Sequence, residues 1–462
     1  MPNLSALKQR LDAWRKTAAP VRLIVISFVL LILLGCLLLI LPVSSAAGAF
    51  THPLDALFTA TSATCVTGLS VVDTTSHWSP FGQAVILGLI QLGGLGLSTF
   101  ATGFSLLVRR RLGLREMVLT GEASGGDMPD APALLKLMLG FTFLCEGLGA
   151  GLLMLRLVPR YGAQGIWPSV FVAVSAYCNA GFDILGFVPG NSSLTAFAGD
   201  PLVCLTIDGL IITGGLGFVV VRDIYLCKIQ PPLRRQSRKR LNFHSQVCLR
   251  ATGLLLLIGT LGFFLLESGG SMAGMGLGAR LNAALFQSVN TRTAGFASVD
   301  IGAQSSFTKV LSVALMFVGG CPGSTAGGVK ATTFVVLLVT VASTLRGRSE
   351  ASVLGHRFSP GMVYKSLTVV LLGLGVVFAD ATALALLNPQ LRFIDVLYEA
   401  ASAFGTAGLT AGVTTQLESV SRVILCLTMF IGRVGPLSFG LSIWMRAKPE
   451  PAILPEGRML VG

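Results

Sequence analysis

TATSATCVTGLS, residues 59–70, decides how the chain is read, because close relatives of it occur three more times. These are VAVSAYCNAGFD (172–183), QSVNTRTAGFAS (287–298) and EAASAFGTAGLT (399–410). Each is a run of small and polar residues that closes on glycine followed by Leu or Phe. The glycines are Gly68, Gly181, Gly295 and Gly408, with successive separations of 113, 114 and 113 residues. Chance similarity does not hold such a spacing, so the chain reads as four copies of one unit.

Each unit follows one plan. An apolar run of spanning length comes first, at about 22–44, 133–157, 247–267 and 363–387. A half-apolar stretch of about twelve residues follows, at 53–64, 167–178, 280–291 and 394–405. A bilayer crossing takes roughly 20 helical residues, so these stretches read as re-entrant half-helices. The glycine turn comes next, and a second apolar run closes the unit, at about 80–108, 200–224, 306–345 and 421–445. Backbone that leaves helix at membrane depth is tolerated only where protein buries it or water lines it. One such break per unit implies a shared axis. The expected fold is an all-α polytopic membrane protein. Its four helix–half-helix–helix (M1-P-M2) repeats stand in pseudo-fourfold arrangement around one ion pore.

Composition agrees. Of 462 residues 53% are hydrophobic and 12% charged, where a soluble protein carries about 25% charged residues. Mean hydropathy is +0.77. The first apolar run follows Lys8, Arg10, Arg15, Lys16 and Arg22 but reaches spanning length, with no convincing cleavage site after it. It reads as a retained helix rather than a signal peptide. The net charge of +13 is not a nucleic-acid signature. Basic residues gather in the N-terminal tail, in RRRLGLR (109–115), in RRQSRKR (234–240), around Arg346, Arg348 and Arg357, and at Arg446 and Lys448. These are alternate loops, as the positive-inside rule requires of cytoplasmic ones; they also suit anionic lipid or a cytosolic partner. Counting eight spans from a cytoplasmic N-terminus puts the C-terminus in the cytoplasm too, and each half-helix then enters from outside. The nine cysteines and four histidines show no disulfide or metal pattern.

Four glycine turns on an axis present backbone carbonyls to its centre, and such oxygens can replace the hydration shell of a monovalent cation. Glycine suits the position because the turn uses positive φ and four backbones crowd together. Each half-helix aims the negative end of its dipole inward, which favours cations. Asp73, Asp183 and Asp300 follow three of the turns and are placed to concentrate cations at the outer mouth.

Further along each unit lies a glycine cluster: QLGGLG (91–96), TGGLG (213–217), VGGCPGSTAGG (318–328) and IGRVG (431–435). The third is the longest and most polar. Its core, GGCPGSTAGGVK (Gly319 to Lys330), cannot continue a helix, and crossing the inner side of the pore would give its polar groups partners. A phosphate-binding loop needs Gly-Lys-Ser/Thr after a strand; here Lys330 follows Val329 and no Ser or Thr comes next. A packing kink is the plainer alternative. Arg433 lies at the matching depth of the fourth unit, and an intramembrane arginine is a functional candidate by default. Three roles are open to it: an electrostatic barrier, a partner for the loop's carbonyls, or an ion pair with Glu146, Asp208 or Asp380. Arg292 reads as a brace behind the third turn and Lys330 as an anchor for the loop's inner end.

CVTGL, CNAGF, RTAGF and GTAGL, with GGCPGSTAGGVK, IGRVGPL (431–437) and the tail RAKPEPAILPEGRMLVG, resemble the Trk/Ktr/HKT superfamily of potassium transporters, nearest its KtrB branch. The resemblance covers nearly the whole chain. It implies potassium uptake through a filter made of Cys65, Val66, Thr67 and Gly68; Cys178, Asn179, Ala180 and Gly181; Arg292, Thr293, Ala294 and Gly295; and Gly405, Thr406, Ala407 and Gly408. Potassium would be held at their backbone carbonyls. It implies a gate made of Gly319, Gly320, Cys321, Pro322, Gly323, Ser324, Thr325, Gly327, Gly328 and Lys330, with Arg433. Further implications are a homodimer and a cytosolic ring of RCK-domain subunits carrying the adenine nucleotide; this chain itself needs no cofactor. Serine in place of the first filter glycine accompanies sodium permeation in plant relatives; glycine at all four positions here favours potassium, with sodium as an activating or coupling ion left open. The chain then divides into a cytoplasmic tail (1–21), repeat 1 (22–108, filter 64–68), a loop (109–131), repeat 2 (132–224, filter 177–181), a loop (225–245), repeat 3 (246–345, filter 291–295), a loop (346–361), repeat 4 (362–446, filter 404–408) and a tail (447–462) suited to the dimer interface. The expected place is the bacterial cytoplasmic membrane. A two-fold inverted-repeat transporter does not match four direct repeats. An enzyme would need a cluster of catalytic side chains at a membrane face, and the sequence offers none.

Overall fold

The computed structural model describes residues 20–96, 131–188, 193–229, 240–348, 350–436 and 438–440. Residues 1–19 and 447–462 of the expected tails, residues 109–130 and most of the 225–245 loop lie outside the described residues, and with them the basic clusters they hold apart from Arg240.

Helices run through the described chain in a recurring order. α1 (Pro20–Ile40), α2 (Pro53–Cys65) and α3 (Pro80–Leu95) come first, then α4 (Ala131–Tyr161), α5 (Ile166–Tyr177), α6 (Pro201–Leu216) and α7 (Phe218–Ile224). α8 (Phe243–Glu267), α9 (Leu277–Asn290), α10 (Ser306–Phe317) and α11 (Ala331–Leu345) follow, and α12 (Pro360–Leu387), α13 (Phe393–Gly405) and α14 (Ser419–Val434) end the series. A short antiparallel hairpin, β1 (Ser352–Val353) with β2 (His356–Arg357), links α11 to α12 and pairs Ser352 with Arg357. Local chemistry sets the helix starts. Proline opens α2, α3, α6 and α12, and the side chains of His52, Ser79, Asp200 and Ser359 accept a backbone N–H just inside each one. Proline at the first position costs nothing because that N–H has no helical partner, and the capping oxygen or nitrogen satisfies another.

The half-helices α2, α5, α9 and α13 sit inside. Each packs against a longer helix before it (α1, α4, α8 or α12) and against a helix from the preceding unit: α3 on α5, α6 on α9, α10 on α13 and α14 on α2. The last of these pairs closes a cycle of helices. Polarity is inverted relative to a soluble protein. Leu37, Leu155, Leu265, Phe307 and Phe378 are exposed, whereas Ser62, Thr64, Ser175, Ser288 and Ser402 are fully buried. Apolar residues outside and hydroxyls inside suit a hydrocarbon solvent.

One expectation needs correction: the second apolar runs are not continuous spans. α3 stops before Gly96, and α14 stops before Gly435, both with positive φ (78° and 91°). α6 and α7 meet at Gly217 with a bend of 98°. α10 and α11 are separated by residues 318–330. Among the described residues only helices within 136–177, Phe243–Glu267 and Pro360–Leu387 are singly long and apolar enough to cross a bilayer. The reason is close approach. A Cβ at Gly93, Gly214 or Gly432 would lie 2.0 Å from the carbonyl oxygen of Thr64, Tyr177 or Phe404, in the last turn of a half-helix. Glycine lets those helices touch, and its freedom then ends them.

Candidate functional site

Three of the four half-helices end alike. The amides of Thr67, Ala180 and Ala407 bond back to the carbonyls of Ser62, Ser175 and Ser402 at 2.8, 2.7 and 2.8 Å, closing a six-residue loop of Schellman type. Such a loop needs a left-handed residue. It falls on Val66 (φ 58°), Asn179 (59°) and Thr406 (51°); in the third turn, where Ala294 N bonds Asn290 O at 3.1 Å instead, Thr293 (71°) is left-handed at the same place, two residues before the glycine. Three of these are β-branched, for which that conformation costs roughly 1–2 kcal/mol and persists only when the surroundings impose it.

Two residues on, Gly68, Gly181, Gly295 and Gly408 all have positive φ, at 98°, 69°, 86° and 75°. They meet in a cycle. A Cβ on Gly68 would stand 2.6 Å from Ala180 O, one on Gly181 2.7 Å from Ala294 O, one on Gly295 2.9 Å from Ala407 O, and one on Gly408 2.0 Å from Thr67 O. The carbonyl just before each glycine therefore faces the glycine of the preceding unit. On one side the cycle opens into a cavity of about 950 Å³, lined by all four glycines and by Asp73, Asp183 and Asp300.

The other residues expected at the turns stand behind this cycle. Cys65 and Gly405 are the last helical residues of α2 and α13. Cys178 Sγ lies 3.6 Å from Gln91 Oε1 and 3.9 Å from Glu146 Oε1. Arg292 is buried, and its Nη2 donates to Gly319 O at 3.2 Å, tying the third turn to the interruption after α10. Sequence reasoning missed three braces. Ser62 Oγ accepts from Gly68 N at 3.1 Å, Asn290 Oδ1 from Phe296 N at 3.0 Å, and the buried Glu399 from Thr410 Oγ1, from Ala411 N at 3.2 Å and from Thr414 Oγ1 at 3.0 Å. Glu399 carries a legible signal: at its register the other units have Thr59, Val172 and Phe286.

Residues 318–330 form a closed loop. Val318 pairs with Val329, Gly319 N donates to Val329 O at 2.8 Å and Ala331 N to Gly320 O at 3.0 Å. The loop reaches α6 and α7 through Cys321 N to Gly215 O (3.0 Å) and Phe218 N to Gly323 O (3.0 Å). The Thr325 hydroxyl lies 3.2 Å from Tyr177 O and 3.3 Å from Asn179 Oδ1. Gly327 and Gly328 press on Thr406 and Gly405. Lys330 Nζ donates back to Ala326 O at 2.6 Å. Arg433 completes the arrangement. It donates to Thr325 O on the loop, to Gly93 O, and to Gly94 O at 3.2 Å on α3. Glu146, Asp208 and Asp380 make no ion pair with it, so of the three roles open to Arg433 its contacts are those of a carbonyl partner.

A second set of contacts circles the half-helices at their other ends. Trp167 Nε1 donates to Gln83 Oε1 (2.9 Å), Asn282 bonds the Cys204 thiol, Lys309 Nζ meets Asp395 Oδ1 (2.7 Å) and Arg422 Nη1 meets Asp55 Oδ1 (3.0 Å). Each joins the fourth residue of α3, α6, α10 or α14 to the first turns of the half-helix in the next unit. Two junctions are neutral and two ionic. Lys309 and Asp395 are both buried, Lys309 also donates to Gly302 O at 3.0 Å, and Arg392 adds a second cation to Asp395 at 2.8 Å.

A helical protein with an apolar exterior, four inward half-helices and a cycle of glycine turns opening on an acidic cavity is of the ion-transporting class. The chain belongs to the TrkH family of cation transport proteins, whose model matches residues 5–450. It is 39% identical to the Ktr system potassium uptake protein B of Bacillus subtilis, over 98% of this chain and 99% of that protein. It is 37% identical to the potassium/sodium uptake protein NtpJ of Enterococcus hirae, over 99% and 100%. The crystal structure of the potassium transporter TrkH from Vibrio parahaemolyticus shares the fold, with a TM-score of 0.69 and 17% identity over 90% of this chain and 84% of that one.

Proposed function

We propose that this chain is the potassium-conducting membrane subunit of a Ktr-type uptake system, with 64–68, 177–181, 291–295 and 404–408 as its filter. One observation carries the reading: each filter glycine faces a carbonyl of the next unit, which is the arrangement a ring of dehydrating oxygens needs. The half-helix dipoles and the acids of the outer cavity add a bias toward cations. The names of the full-length relatives support potassium as the cargo, and the name of NtpJ keeps sodium coupling or permeation as the second reading.

In this reading four M1-P-M2 repeats (22–108, 132–224, 246–345 and 362–446) surround the pore. The loop from Gly319 to Lys330 closes it below the filter and Arg433 holds the loop shut. Its contacts with α3, α6 and α13 support that role. The Thr67, Ser324 and Thr406 hydroxyls, buried without a partner among the described residues, suit a polar ion path. Both termini face the cytoplasm of a bacterial inner membrane. The functional unit is a homodimer using 447–462, regulated by an RCK-domain ring that binds the adenine nucleotide. The test is growth of a potassium-uptake-deficient bacterium at low potassium, with and without the RCK partner. Rescue is expected. Failure with the protein inserted and its partner present overturns the reading.

A further inference from the structure

Cys321 sits in the loop between α10 and α11, and its neighbours are reactive groups. Its Sγ lies 3.7 Å from Thr252 Oγ1 and 3.9 Å from the carbonyl oxygen of Cys248 on α8. Both cysteines are fully buried, in one cluster with Val220, Val318 and Ala331. Cys248 Sγ lies 3.5 Å from His244 Nε2, one helical turn back. Arg292, bonded to Gly319 O, and Lys330, bonded to Ala326 O, hold the same loop on either side of Cys321. The His244 imidazole is placed to take the Cys248 proton, which frees the nucleophilic thiolate. A cavity of about 10 Å³, the size of roughly one water, lies beside Thr252, Arg292 and Gly320 and is lined by neither cysteine.

We propose that Cys248 and Cys321 are a reversible dithiol–disulfide pair that locks the loop; the lock rests on the reading of that loop as the gate. The oxidant is hydrogen peroxide. The Cys248 thiolate, its proton taken by His244, attacks the distal peroxide oxygen. The O–O bond breaks, Cys248 becomes a sulfenic acid, and the leaving oxygen departs as water once protonated. Cys321 then attacks the sulfenic sulfur, the S–O bond breaks, and a second water leaves. Two thiols lose two electrons and two protons, and one peroxide becomes two waters. A dithiol reductant reverses the change. The bridge ties the loop to α8 while Cys321 N and Gly323 O keep their bonds to Gly215 and Phe218, so the loop stays across the inner side.

The experiment uses the full chain in liposomes, treated with hydrogen peroxide. The intact mass falls by two hydrogens and a non-reduced digest yields a peptide joined at Cys248 and Cys321. Rubidium uptake is lost and returns with dithiothreitol, and Cys248→Ser keeps its basal uptake through peroxide. Absence of the joined peptide overturns the proposal whatever the chain transports. A loss of uptake that persists in Cys248→Ser overturns it as well, since the target is then another cysteine. A joined peptide with undiminished uptake overturns the lock, and the loop deletion described below shows whether the gate reading falls with it.

Discussion

Replacing Gly68 by serine tests the cycle of glycine turns directly. The new Cβ would stand 2.6 Å from Ala180 O, closer by about 0.8 Å than the 3.4 Å at which ordinary contact begins. It would also hold a side chain at φ 98°, where an L-residue loses roughly 1–2 kcal/mol. The second turn, which carries Ala180 O, has to retreat, and a site displaced by more than about 0.5 Å leaves its productive geometry. If that strain is relieved by moving the Ala180 carbonyl, discrimination between potassium and sodium falls by up to the same free energy, roughly 5–30-fold. Competing uptake of radioactive rubidium and sodium into cells with matched surface expression measures the ratio. The four positions also rank. Gly408, 2.0 Å from Thr67 O, leaves the least room, and Gly295, 2.9 Å from Ala407 O, the most, so Gly408→Ser is the most damaging and Gly295→Ser the least. An unaltered ratio in Gly68→Ser would refute the placement of its backbone beside the ions.

Arg433→Gln removes charge-assisted bonds to Thr325 O, Gly93 O and Gly94 O, each worth roughly 1.5–3 kcal/mol. Basal uptake should rise; unchanged or lower uptake at normal expression counts against a closing role. Deleting Cys321 to Gly327 should leave a pore that conducts without its regulator, and an inserted but silent variant removes the gate assignment. Lys309→Met leaves Asp395 buried with only the exposed Arg392 as partner. Breaking such a pair costs roughly 3–5 kcal/mol, so the thermal midpoint in detergent should fall clearly, whereas Gln83→Leu at the neutral junction should shift it little. Equal shifts would mean the ionic junctions do not brace the half-helices.

The sequence made the repeat legible because its signal is a spacing, and a spacing survives without knowledge of contacts. The glycines that count out the repeat are the ones that touch. Asp73, Asp183 and Asp300 stood out as acids just beyond three of the turns, and the structure gathers them around one cavity. Other features were hidden because they depend on which residues meet across units. Nothing local marks Val66, Thr293 or Thr406 as left-handed; β-branched residues avoid that conformation, and only the packed half-helix ends impose it. Glycine clusters in the second runs signalled flexibility, but the break itself follows from Gly93, Gly214 and Gly432 pressing on carbonyls far away in the chain. Lys309 and Asp395 looked like unrelated charges because 86 residues separate them.

On the proposed reading of the loop as a gate, the interruption after α10 bears on how a pore built from four repeats diversifies. It occupies a central position, touching α6, α13 and, through Arg433, α3. In an assembly of four identical chains any insertion arrives in four copies. A twelve-residue loop on the axis would then meet three duplicates of itself in the space that holds one here. Linking the four turns in a single polypeptide removes that restriction. One quadrant can take the moving part, another the arginine it rests on, and the remaining two the ledges that receive it.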